Sequence, residues 1–132
     1  MSLKLRIFSL AILSLLLSLS ACMSNQENLI IGTWTVTRMD ALPGEYPIEE
    51  WEFTADYDLI KSRITETENV IMSTGRWGFS KRNRLTITKF DVGFNGEWQI
   101  VTFKNNVLRM VLPAEVDGRP AGQVLREFTR SR

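Results

Sequence analysis

The sequence contains no histidine and a single cysteine, Cys22, among its 132 residues. One thiol excludes an intramolecular disulfide. The two shortages together exclude a Cys/His zinc site, a Ser-His-Asp or Cys-His catalytic unit and a histidine proton shuttle. Neither sign of charge dominates: 16 Lys and Arg stand against 15 Asp and Glu. A balance that close argues against a broad phosphate-binding surface, so nucleic acid is not an expected partner. No stretch after residue 28 sustains a 3.6-residue apolar repeat over a helix length, which argues against a bundle or a βαβ fold. There is no P-loop, dinucleotide fingerprint or calcium loop, and no cofactor or metal is expected. No serine or threonine stands in a nucleophile elbow. Acids do cluster, at Glu49, Glu50 and Glu52 and again at Asp56 and Asp58. Glu50 and Glu52 alternate with Trp51 and Phe53, which places them on a solvated strand face rather than in a catalytic pair. An enzyme is not expected.

What is present begins with a leader. Lys4 and Arg6 precede an apolar run from Ile7 to Leu19, and 1–21 contains no acid. A run of that length is too short for a spanning helix, which needs about 20 residues, but matches the apolar region of a signal peptide. It ends Leu19-Ser20-Ala21-Cys22, which resembles the lipobox of bacterial lipoproteins. The resemblance implies a diacylglycerol thioether on Cys22, cleavage before it and acylation of the new amino terminus; two or more acyl chains anchor a protein stably where one does not. Residues 22–28 then read as a short lipidated tether, polar and aperiodic, reaching at most about 20 Å over six residues. Met23 rather than Asp follows the cysteine, which favours the outer membrane and a domain facing the periplasm. Without the leader, the part expected to fold carries about one net negative charge, and its length suits one domain.

That domain, 29–132, alternates with period two. Gly32 to Met39, Glu50 to Thr54, Asp58 to Thr65, Asn69 to Phe79 (one strand or two), Arg84 to Phe90, Glu97 to Phe103, Val107 to Leu112 and Gln123 to Thr129 are the expected strands. Ser80-Lys81-Arg82-Asn83 and Lys104-Asn105-Asn106 carry turn chemistry, with asparagine tolerating positive φ. Pro43, Pro47, Pro113 and Pro120 are placed in two longer loops, 40–48 and 113–121, because proline removes a ladder donor. About eight antiparallel strands joined by short turns form an up-and-down meander, and closing it into a barrel removes the exposed edges.

Three of the four tryptophans follow a glycine by two residues: Gly32-Thr33-Trp34, Gly75-Arg76-Trp77 and Gly96-Glu97-Trp98. Such a glycine lies on the same strand face as the ring, leaving room for it or letting the strand bend. Core packing is the favoured reading of these rings. Leu29-Ile30-Ile31-Gly32-Thr33-Trp34 resembles the opening motif of lipocalins. Together with Trp51-Glu52-Phe53-Thr54, Gly75 to Phe79 and Leu125-Arg126-Glu127-Phe128-Thr129, it resembles the short bacterial lipocalin-like lipoproteins. The resemblance implies that Trp34 closes one barrel end beneath a basic residue, Arg126 or Arg130. It departs from full-length lipocalins in lacking their later Thr-Asp-Tyr motif and C-terminal helix. A barrel of eight strands is wide enough either to be filled by side chains or to hold one small ligand.

The expected function is non-catalytic binding of a small, partly apolar ligand in or at the barrel mouth, by a monomer held to the membrane at Cys22. Trp51, Phe53, Trp77, Phe79 and Trp98 are the candidate ligand contacts. The rival is an interaction lipoprotein with a filled barrel that meets an envelope partner through its loops or outer surface.

Overall fold

A computed structural model describes residues 9, 12, 25–37, 42 and 45–131, apart from the side chain of Val116. Cys22 and nearly all of the expected leader lie outside them. Eight strands follow in chain order: β1 (Gly32–Val36), β2 (Ile48–Phe53), β3 (Asp58–Ile64), β4 (Asn69–Lys81), β5 (Arg84–Thr88), β6 (Gly96–Lys104), β7 (Val107–Val116) and β8 (Arg119–Arg130). Each pairs antiparallel with the next, and β8 returns to β1, closing the barrel. The seam runs from Trp34 opposite Arg130 to Val36 opposite Phe128. Backbone bonds from Thr37 N to Glu127 O (2.8 Å) and from Ser131 N to Thr33 O (2.9 Å) extend it. The all-β, eight-stranded up-and-down architecture read from the alternation is the one observed.

The alternation works as period two requires. In β5, Leu85 and Ile87 are buried while Thr88 is exposed. In β2, Trp51 and Phe53 are buried and Glu52 is exposed. Facing strands bring these residues together: Trp51 lies opposite Lys61, Phe53 opposite Leu59, Trp77 opposite Ile87 and Leu85 opposite Trp98. The resulting core also takes in Ile30, Trp34, Phe79, Phe90, Ile100, Leu108, Met110 and Phe128. Large apolar side chains of this kind contribute roughly 1.5–3 kcal/mol each when fully buried.

Several boundaries differ from expectation. β4 is one strand of 13 residues. The expected loop 113–121 is instead the end of β7, a two-residue turn and the start of β8. Pro113 and Pro120 therefore sit in strands, where the register shifts between Pro113 and Glu115; proline is tolerated at such a bulge because the ladder is already interrupted there. Asn83 and Asn105 take φ of 61° and 51°, as their turns require. The tether differs as well. Residues 25–30 are helical, and they are docked rather than loose: Gln26 accepts from Asn83 N (2.8 Å) and donates to Asn83 Oδ1 (2.7 Å), and Tyr57 donates to Glu27 (3.1 Å). Ile30 is fully buried. The barrel thus has a helix end, with the turns at 54–58, 81–84 and 104–107. At its opposite loop end lie the turns at 64–69, 88–96 and 116–119.

Candidate functional site

The two barrel ends are closed by the same local device. At the helix end, Gly32 takes φ of 138°, a region open to glycine. The turn it makes lets the Trp34 indole N–H reach back to Ile30 O at 2.8 Å. The Arg130 guanidinium covers that ring, 4.2 Å from its centroid, and donates to the carbonyls of Ile31 (3.3 Å) and Leu29. Of the two arginines expected at Trp34, Arg130 is the one there. At the loop end, Gly96 takes φ of 136°, and the Trp98 indole donates to Phe94 O at 2.9 Å, again four residues back. Phe94 stacks on Trp98 with centroids 6.3 Å apart. Arg126 lies over Phe94 at 4.9 Å. Both arginines come from alternate residues of β8, so both point inward, one toward each end.

The third triplet works differently. A Cβ on Gly75 would come within 2.8 Å of both Phe90 Cβ and Thr88 O, so this glycine admits the loop that plugs the mouth. That loop, 88–96, is tied by one side chain: Asn95 accepts from Phe90 N (2.8 Å) and donates to Phe90 O (3.1 Å). It is then pinned to β3 by an ion pair between Lys61 and Asp91. The ammonium also sits 5.8 Å from the centroids of Phe90 and Phe94. The Lys61 hydrogen bond holds the Asp91 carboxyl below its ordinary range. Burial opposes this, and the nearby Ser73 hydroxyl assists it. Ser73 Oγ is itself buried without a well-aligned partner. A carboxylate depressed in the folded state stabilises fully above its unfolded pKa, and that stability is lost as pH falls through the folded value. Acid should therefore loosen the plug below about pH 4. Asp91→Asn should cost about 1–2 kcal/mol at pH 7, between exposed and buried pairs. It should also flatten the acid limb of stability, measured by denaturant melts across pH 2–7 (roughly that window).

Trp51, Phe53, Trp77, Phe79 and Trp98, the expected ligand contacts, are all buried core, and Trp51, Phe53 and Trp98 expose no surface at all, even to an internal space. Trp51 is the most heavily contacted of the five rings. Its ring meets Phe128 at 5.0 Å, Phe90 at 5.1 Å, Phe94 at 5.7 Å and Trp98 at 6.5 Å, each edge to face. Phe53 and Phe79 meet Trp77 edge to face and Tyr57 lies tilted against it, and its indole donates to Thr54 O. These rings pack on one another, and their N–H groups are met by backbone carbonyls at Trp77 and Trp98 and by the Glu49 carboxylate at Trp51.

Among the described residues, two grooves lie outside the core. A groove of about 330 Å³ runs along the rim of the loop end, lined by Pro47, Ile48 and Met72 and by Glu49, Lys61, Ser62 and Arg63. Met72 is the extra residue where the β3–β4 register shifts, since Lys61 faces Ser73 while Ser62 faces Ile71. A second groove of about 310 Å³ crosses the outer face of β1 to β4, between Thr33, Glu50, Glu52, Ile60 and Ile71. Glu50 and Glu52 are thus outward, as the alternation implied.

No protein-family model, curated protein or solved structure matches the chain. The site must be read from its own residues. Sequence reasoning missed Lys61, Phe90, Asp91, Phe94 and Asn95. Only the phenylalanines at 90 and 94 offered a signal, two large apolar residues inside a stretch otherwise typical of a loop.

Proposed function

We propose that this chain is a non-catalytic, lipocalin-like bacterial lipoprotein, acylated at Cys22 and held at the outer membrane facing the periplasm. Its barrel is a filled scaffold, and it binds a small, partly apolar molecule at the mouth rim rather than inside. The observation that carries this reading is the packing of Trp51 against rings from three other parts of the barrel, Phe90, Phe94, Trp98 and Phe128. With Trp51 packed in this way, the rim groove offers an apolar wall at Pro47, Ile48 and Met72 beside the Arg63 guanidinium, while Lys61 is engaged by Asp91 and Glu49 accepts from the Trp51 indole. That combination suits an amphiphile with an acidic group. The lipid anchor is supported by Lys4, Arg6, the apolar run and Leu19-Ser20-Ala21-Cys22.

The test uses the full chain in detergent with an anionic naphthalene-sulfonate dye as probe. Dye fluorescence should saturate at one site, and Met72→Glu and Arg63→Glu should each weaken binding about tenfold or more while the melt stays put, because both side chains are exposed. Binding that survives both substitutions overturns the rim site. Intact mass separately tests the anchor: a chain starting at Cys22 with added acyl mass, absent in Cys22→Ser, is expected.

A second reading has its own observation. Val70, Ile71 and Met72 form an exposed apolar run, with Ile71 63% exposed, beside the outer groove. An envelope protein meeting that face would make the barrel an interaction module. Site-specific crosslinking from position 71 in the membrane distinguishes the two.

A further inference from the structure

We infer that the helix end of the barrel lies against the bilayer and that the mouth points away from it. The inference rests on the proposed acylation of Cys22 and adds an orientation to it. Only residues 23 and 24 separate Cys22 from Asn25, the first described residue of the docked helical segment. Three residue steps span at most about 11 Å. Asn25 itself lines a surface cleft with Gln26, Leu29, Arg82, Asn83 and Phe103, so the acylated residue is confined to that end. The segment cannot swing as a tether would, because Gln26 is bonded twice to Asn83, Glu27 is bonded to Tyr57, and Arg130 holds Leu29 O. The loop end stands roughly 25 Å off, the rise of a ten-residue tilted strand.

The chemistry of the helix end fits that placement. Lys81, Arg82 and Lys104 are exposed at the tips of its turns, where anionic headgroups attract basic side chains. Leu29 and Val101 are 47% and 57% exposed nearby, an apolar component suited to the headgroup boundary. The acids at this end are partly committed: Asp58 pairs with Arg76 at 2.8 Å, and Glu27 accepts from Tyr57, which leaves Asp56 at the hairpin tip and Glu52 on the outer face of β2 against the three cations at the turn tips. The basic turn thus gains a partner that a solvated hairpin tip would lack.

The test places a single new cysteine at Asn106 (helix end) or Glu115 (loop end), each exposed, in the full chain. The protein is labelled with an environment-sensitive dye and reconstituted into vesicles of phosphatidylcholine and phosphatidylglycerol containing spin-labelled lipid. Quenching should be severalfold stronger for Asn106→Cys than for Glu115→Cys, and adding Arg82→Glu and Lys104→Glu should reduce it. Equal quenching, or stronger quenching at position 115, overturns the orientation alone. A thiol assay before labelling separates the anchor: one reactive thiol per variant means Cys22 is acylated, whereas two overturn the anchor and this inference with it.

Discussion

Trp51→Ala should cost about 3–5 kcal/mol, the range for deleting a large aromatic from a packed core. The indole gives up its edge-to-face contacts with Phe90, Phe94, Trp98 and Phe128, worth roughly 0.5–1.5 kcal/mol per aromatic pair beyond simple burial. It also gives up its bond to Glu49 Oε2 at 3.0 Å. These rings come from β2, the β5–β6 loop, β6 and β8, so the void cannot collapse by moving one strand. In a domain of about 100 residues, each kcal/mol shifts Tm by about 4–8 °C, so a fall on the order of 20 °C is expected in a thermal melt. Trp51→Phe should recover most of it. A hollow barrel gives the opposite result: there, removing a wall residue enlarges an existing cavity and leaves the melt nearly unchanged.

Arg130→Ala should be the second most damaging of the changes considered, at about 2–3 kcal/mol. The guanidinium stacks on Trp34, an interaction worth about 0.5–2 kcal/mol. It also satisfies the carbonyls of Leu29 and Ile31, and hydrogen bonds to a charged group contribute roughly 1.5–3 kcal/mol. Arg130→Lys should fall between, since an ammonium keeps the charge but cannot stack flat while donating to both carbonyls. Arg126→Ala is the matched comparison. Arg126 covers Phe94 and, among the described residues, bonds to the adjacent Leu125 O alone, at 3.0 Å, so its loss should cost under about 1 kcal/mol. Amide hydrogen exchange separates the two arginines further: Arg130→Ala should speed exchange at Ile31 and leave the 88–96 loop protected.

The barrel was legible because its signal is local. Alternation in segments such as Arg84 to Thr88 sets inside and outside residue by residue, and asparagine at 83 and 105 marks turns by a backbone preference any window reveals. The rings of the Gly-x-Trp triplets read correctly as core for the same reason. What stayed hidden depends on residues far apart in the chain. Lys61 looks like any outward strand lysine until Asp91, 30 positions on, meets it inside the mouth. Pro113 and Pro120 look like loop residues because the bulge that admits them needs a partner strand to define it. The choice between Arg126 and Arg130 rests on β8 register against β1, where Arg130 faces Trp34. The docking of 25–30 needs Asn83 and Tyr57, and the polar run from Asn25 to Asn28 carries no sign of either.

The proposed function requires a filled barrel that binds its ligand at the rim. Its most direct test is a ¹⁵N-labelled protein titrated with the naphthalene-sulfonate dye while the four indole N–H signals and the backbone amides are followed by NMR. The prediction is that the Trp77 and Trp98 indole signals, whose N–H groups are held by the Thr54 and Phe94 carbonyls, hold still through saturation while the amides of Ile48, Arg63 and Met72 move together along one binding curve. Saturable shifts of the Trp77 and Trp98 indoles, with the rim amides unmoved, would place the ligand inside the barrel and contradict the proposed function.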